Sequence, residues 1–175
     1  LAAGQTATLI NVSDLAGPFQ VSRPTIREYV TLLTRVFLLE ELPSWHNNRL
    51  KRLVKTPKLH LSDAGLACAL LGLDGKALRE DRTTLGRLLE TFVYQELRRQ
   101  ASWHEDHIRF HHFRDKDMVE VDVVLEGDAG KVAGVEVKAA ATVTAADFRG
   151  LRKLKEASGN LFAGGVVVYD GETSA

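Results

Sequence analysis

The alternation of Val119-Glu120-Val121-Asp122-Val123-Val124-Leu125 constrains this chain more than any other feature. A period of two carried by β-branched residues is the signature of a strand with one face on a core. Gly127-Asp128-Ala129-Gly130 then turns the chain, and Val132 to Ala139 returns as a second strand. Apolar residues occupy the odd positions on both arms: Val121, Val123 and Leu125, then Ala133, Val135 and Val137. A shared core requires odd to pair with odd, which a loop of three or five residues provides. In the five-residue case Asp122 faces Glu136 directly, and Lys138, two positions on, shares the face of Glu136.

The surrounding pattern extends this hairpin into an α-β-β-β-α-β order. Residues 84–101 predict a long helix with Leu85, Leu88, Leu89, Phe92, Val93 and Leu97 on one face. Ile108 to Phe113 predicts a strand, and Ala145 to Glu156 an amphipathic helix using Phe148, Leu151 and Leu154. Gly164 to Tyr169 is wholly apolar, as expected of a strand buried on both faces. Glu96 falls near the centre of the apolar stripe of its helix, which predicts either a basic partner or an extra acid reaching the site.

The first part of the chain has a different pattern. Ser13-Asp14 caps a short helix ending near Gly17-Pro18. Ser22-Arg23-Pro24 opens a second helix, whose stripe is Ile26, Tyr29, Val30, Leu33 and Phe37. Phe37–Leu42 and Lys58–Leu61 read as strands, and Ser62-Asp63 caps a further helix. Two helices joined by a tight turn and followed by a hairpin make a winged helix-turn-helix pattern. Gly75 to Thr83 reads as a polar connector, so the expected division is residues 1–74 and residues 84–175. The fold class expected is α+β.

Net charge is +0, so charge distribution rather than balance bears on nucleic acid. Between Trp45 and His60 lie Arg49, Lys51, Arg52, Lys55 and Lys58 with no acid among them. Lys51 and Arg52 are expected phosphate contacts on a wing, and Arg114, in the second module, is expected either to contact phosphate or to be solvated or ion-paired. Arg23 and Arg27, at the start of the second helix, are placed to reach a DNA groove or backbone. Cys68, the single cysteine, excludes a disulfide framework, and its apolar neighbours predict a buried thiol in a reducing, cytoplasmic setting. No apolar run is long enough to span a bilayer, so no membrane partner is expected. The opening at Leu1 and the stop after a strand-like run suggest a fragment of a longer chain.

A Glu-x-Lys triplet has no weight alone, since at about 6% usage per charged type roughly one arises by chance in such a chain. Asp122 followed fourteen residues later by Glu136-Val137-Lys138 has more. Two carboxylates and an ammonium on one side of a hairpin suit metal-assisted phosphodiester hydrolysis. Mg²⁺ or Mn²⁺ would take Asp122, Glu136 and the Val137 carbonyl, with water and phosphate completing the octahedron. Lys138 would orient the attacking water or help deprotonate it, and would stabilise the developing charge. Glu90 in the preceding helix adds a carboxylate. His104, His107, His111 and His112 lack the spacing and the cysteine partners of a zinc site.

Leu85-Gly86-Arg87-Leu88-Leu89-Glu90-Thr91-Phe92-Val93, Phe113-Arg114-Asp115, Glu120-Val121-Asp122 and Gly134-Val135-Glu136-Val137-Lys138-Ala139 together resemble blocks of a prokaryotic ATPase family. Its members carry an AAA-type ATP-binding domain followed by a carboxy-terminal domain of unknown function. Lys55-Thr56-Pro57-Lys58-Leu59-His60-Leu61-Ser62-Asp63-Ala64-Gly65-Leu66 is similar to that family's lysine-strand-Asp-x-Gly-Leu signature. The resemblance implies a winged helix fused to a restriction-endonuclease-like PD-(D/E)xK core. In that core Glu90 matches the helix-borne acid, Asp122 the metal-binding aspartate, and Glu136 and Lys138 the (D/E)xK pair. No Gly-x-x-x-x-Gly-Lys-[Ser/Thr] loop occurs here, so ATP belongs to an amino-terminal ATPase domain outside this chain. The expected function is a DNA-directed, Mg²⁺-dependent nuclease-like region; the alternative is a non-catalytic DNA-binding or regulatory module.

Overall fold

A computed structural model describes residues 2–16, 18, 20–46 and 54–172. The chain is a mixed α+β protein with two sheets and six α-helices among the described residues. It divides into two compact units, Leu1–Leu42 with Thr56–Phe92, and Pro43–Lys55 with Val93–Ala175.

The first unit carries β1 (Thr8–Leu9), α1 (Val12–Ala16), α2 (Arg23–Arg35), β2 (Leu39–Leu42), β3 (Lys58–Leu61), α3 (Ala64–Leu71) and α4 (Gly75–Glu80). It also takes the opening turns of α5 (Arg82–Ala101). Its sheet has the order β1-β3-β2 and is antiparallel throughout. Ser22 caps α2 by accepting the Thr25 N–H, and Pro24 stands in the first turn, where no hydrogen bond is lost. Only part of the expected stripe is buried. Ile26 and Val30 join the core with Leu15, Leu39, Leu59 and Leu88, whereas Tyr29 is 53% exposed. Phe37 lies beyond the helix in the left-handed region, φ 60°, and is 81% exposed. The connector expected over Gly75–Thr83 is instead α4 and the start of α5, because Asp74 caps the one and Asp81 accepts amides of the other. Cys68 is partly buried beside the core rather than fully enclosed.

A buried polar chain crosses this unit. The Lys58 Nζ donates to Glu90 Oε1 at 2.8 Å, with both residues less than one-tenth exposed. His60 Nε2 stands 3.8 Å from the same oxygen, and its Nδ1 meets Thr91 Oγ1 at 3.1 Å. Thr91 in turn meets Thr6 Oγ1 at 2.8 Å. The inward face of α5 is therefore polar at Glu90 and Thr91, while Phe92, expected inside, is 50% exposed. Removing one member of a buried ion pair leaves the other desolvated without its counter-charge.

The second unit holds β4 (Arg109–Arg114), β5 (Glu120–Glu126), β6 (Val132–Lys138), α6 (Arg149–Ser158) and β7 (Phe162–Tyr169). The sheet order is β4-β5-β6-β7; the first two pairings are antiparallel and β6–β7 is parallel across α6. Glu126 pairs with Val132, so the hairpin loop has the five residues that aim Asp122 toward Glu136. The expectation of one core on odd positions does not hold. On β5 two residues, Asp122 and Val123, stand opposite one, His112, and the bulge flips the alternation. Val121, Val124 and Val132 thus pack together with Leu151 and Leu154 of α6, and both faces of β5 and β6 are buried.

Glycines set how closely α6 lies on this sheet. A Cβ on Gly134 would come within 2.6 Å of Leu151 Cδ2, and one on Gly150 within 1.9 Å of the Glu120 carbonyl oxygen. The turn before β5 is held by buried Asp115, whose Oδ1 accepts the amides of Asp117 and Val119 while Lys153 of α6 reaches Oδ2 at 3.2 Å. Burial works to raise the Asp115 pKa, but the Val119 amide, Lys153 and the Asp117 amide outweigh it and hold the carboxyl below its ordinary value.

Pro43–Lys55 joins β2 to β3 in sequence but belongs to this second unit. Ser44 makes a parallel bridge with His112, and Trp45 packs 6.3 Å from Phe113 and donates from Nε1 to Glu126. The outer edge of β4 is therefore covered. β7 is not buried on both faces as expected: it is the terminal strand, with Val166 54% and Val168 37% exposed.

Gly150→Ala should lower stability by about 1–3 kcal/mol or more in urea titration, since the added methyl meets backbone, whereas Gly164→Ala should cost little. A double-mutant cycle of Lys58→Met with Glu90→Gln, read by the same titration, should return a coupling of about 1–3 kcal/mol.

Candidate active site

The hairpin of β5 and β6 gathers three of the residues expected to act together. Asp122 and Glu136 are each 5% exposed. The Lys138 Nζ donates to Glu136 Oε1 at 2.7 Å, the same-face contact that a spacing of two dictates. The Val137 N–H donates to Asp122 Oδ2 at 2.9 Å, so the side chain of Asp122 reaches across to the backbone of β6. This bond falls one step beyond the last regular pair, Val123 with Val135. The bulge at Asp122 and Val123 frees that carboxylate from a plain outward direction.

Burial alone pushes the Lys138 amine toward its neutral form. The hydrogen bond and charge of Glu136, followed by the charges of Asp122 and Asp147, outweigh it and raise the pKa above the ordinary lysine value. Lys138 is therefore an ammonium in this arrangement. As such it can orient an anion or donate a hydrogen bond.

Asp147 is the residue that sequence reasoning missed. The helix expected from Ala145 begins only at Arg149, and Asp147 sits in the turn that leads into it. Its Oδ2 accepts both the Thr144 N–H at 2.7 Å and the Thr144 hydroxyl at 2.8 Å. Those two bonds, helped by Lys138, hold its pKa below the ordinary value. The Thr-x-x-Asp spacing signals such a turn, but nothing local says that it lies beside Lys138.

The remaining candidates have the following places. Glu90 belongs to the first unit, where it accepts from Lys58. Arg114 pairs with Glu120 at 3.1 Å, its cross-strand neighbour. Arg23 and Arg27 are exposed on the first turns of α2. Lys51 and Arg52 lie outside the described residues. Glu96 has a basic partner, Arg99, one turn on. His111 and His112 are on β4, and burial lowers the His111 pKa against the pull of Glu126. Among the described residues no group of three or more His, Cys, Asp or Glu side chains is placed to hold a metal ion. No described helix is long and apolar enough to cross a membrane.

Comparison with known proteins gives a family without a function. Residues 1–77 match a second domain of unknown function, DUF8612. An uncharacterised protein of Mycobacterium tuberculosis (strain ATCC 25618 / H37Rv) is 29% identical over 134 residues, 77% of this chain and 29% of the relative. An uncharacterised protein of Mycobacterium bovis (strain ATCC BAA-935 / AF2122/97) matches to the same extent. The chain therefore spans less than a third of the length of these curated relatives. No solved structure matches. Residues 85–175, more than half of the chain and all of the strands that build the hairpin site, match the model of a domain of unknown function, DUF4143, and the chain belongs to that family.

Proposed function

We propose that this chain is the nuclease-like carboxy-terminal region of a prokaryotic AAA-type ATPase, binding DNA and hydrolysing phosphodiesters with Mg²⁺ or Mn²⁺. In this reading residues 1–74 are a winged helix-turn-helix and residues 84–175 a PD-(D/E)xK core, in a cytoplasmic protein whose ATP site lies in the amino-terminal domain. One observation carries the proposal: buried Asp122 and Glu136 on neighbouring strands, with the Lys138 ammonium on Glu136 and under the charge of Asp122.

The donor set fits a hard cation. Asp122 and Glu136 offer carboxylate oxygens and no soft ligand, and Mg²⁺ needs only one or two carboxylates because water and phosphate complete its shell. When bound, such an ion acidifies a water and neutralises charge on the phosphate. The chain's own groups supply the rest. Asp122 is oriented by the Val137 amide, and Glu136 by Lys138. As an ammonium, Lys138 stabilises negative charge growing on the phosphate oxygens. Asp147 sits in the field of Lys138 and competes with Glu136 for it.

A different observation favours the second reading, a non-catalytic regulatory module. Tyr29 and Leu32 are more than half exposed on the helix that bears Arg23 and Arg27. They line an apolar groove of about 320 Å³ with Leu15, Ile26, Leu33 and Leu39. Such a face suits a protein partner better than a phosphate backbone, which calls for cations and polar donors.

Duplex, single-stranded and branched DNA incubated with Mg²⁺ or Mn²⁺ tests the first reading. Cleavage by the wild type should fall by about a hundredfold or more in Glu136→Ala, measured as initial rate on gels. Equal rates in both proteins, or none in either, defeat the catalytic claim and leave the regulatory module.

A further inference from the structure

The two edges of the second unit's sheet are treated differently. The β4 edge is capped by Pro43–Trp45, whose backbone bonds to both sides of His112. Among the described residues β7 ends the sheet, and nothing in the strand discourages another strand from joining it. Phe162-Ala163-Gly164-Gly165-Val166-Val167-Val168-Tyr169 contains no charge and no proline. Its irregularity is confined to the start, and Gly164 to Tyr169 run as six regular pairs with β6. Native proteins guard open edges with lysine, proline or bulges, so an unguarded apolar edge is one that is used.

We infer that β7 pairs antiparallel with β7 of a second copy of this chain, making one continuous sheet across a two-fold axis. The side chains are self-complementary in one register. Gly165 and Val167 face α6, since a Cβ on Gly165 would touch Leu151 and Val167 packs on the α6 core. Val166 and Val168 therefore share the opposite face and are exposed there. With Val167 on the axis, Val166 stands opposite the partner's Val168, and Val168 opposite the partner's Val166. Both exposed valines are covered at once. In the same register Gly165 stands opposite the partner's Tyr169, an aromatic beside a strand glycine. Gly165 forms one wall of an open groove of about 230 Å³ lined by Phe148, Leu151 and Phe162, room into which a ring can lie.

Charge supports this register. Arg152 and Lys155 of α6 line that groove beside Phe162, at the start of β7. Asp170 and Glu172 follow its other end. Antiparallel pairing carries the acidic end of each strand to the basic end of the other, whereas parallel pairing would set like charges together. An isologous contact of this kind closes at two copies.

Sedimentation equilibrium of the whole chain is the test. The wild type should have twice the 19.3 kDa chain mass. Val166→Lys, at an exposed position, should have the mass of one chain with an unchanged circular dichroism spectrum and a thermal transition that remains cooperative. In a Cys68→Ser background, Val166→Cys with Val168→Cys should form an intermolecular disulfide on mild oxidation. A monomeric wild type, an assembly larger than two, or a dimer that persists in Val166→Lys overturns the inference.

Discussion

Close approach of α6 to its sheet governs the arrangement of the second unit. Gly150 lies so near the Glu120 carbonyl that no side chain fits between them, and Gly134 and Gly165 make room for Leu151. That intimacy has a chemical consequence. The turn entering α6 is brought to the β6 end that carries Lys138, which is how Asp147 comes to act on its charge. A bulkier residue at any of these glycines would lift the helix and take Asp147 away with it. Packing and electrostatics are coupled here through the absence of side chains.

Buried charge is the second organising theme. In the first unit Lys58 donates to Glu90, and His60, Thr91 and Thr6 form a second hydrogen-bonded run beside that pair. In the second, Asp122, Glu136 and Lys138 are gathered on one hairpin, and Asp115 braces its entry. Desolvated carboxylates are costly unless each has a donor, and the donors observed are backbone amides and three lysines, Lys58, Lys138 and Lys153. The lysine–carboxylate pairs differ in consequence. Lys58 is enclosed, whereas Lys138 has a side chain about one-third exposed and so remains open to an arriving anion.

Much of the hairpin was legible in the residues. A spacing of two placed Lys138 on Glu136, and period-two alternation left a loop of three or five residues, of which the pairing of Glu126 with Val132 selects the five that turn Asp122 toward Glu136. These are local rules that the backbone enforces wherever a strand forms. The misreadings share a cause. An apolar run such as Phe162–Tyr169 fits a central strand or an edge strand equally, and only the sheet order tells them apart. Phe92 satisfied a helical stripe and yet faces outward, because Glu90 and Thr91 had partners waiting on β3 and the opening turn. Pro43–Trp45 carried no strand signal and acquired its role from the exposed edge of β4.

Chain order and side-chain periodicity by themselves determined the α-β-β-β-α-β succession in the second unit and the shared face of Glu136 and Lys138. Those properties depend on residues within a few positions or on one tight loop, where dihedral preferences and a fixed pleat leave little choice. Tertiary structure alone decided which side of a strand or helix is buried, that a bulge reverses the alternation at Asp122, that Asp147 joins Lys138, and that one sheet edge is covered while no described strand lies on the other. Each of these turns on contacts between residues far apart in the chain, and no local preference of the backbone encodes such a contact.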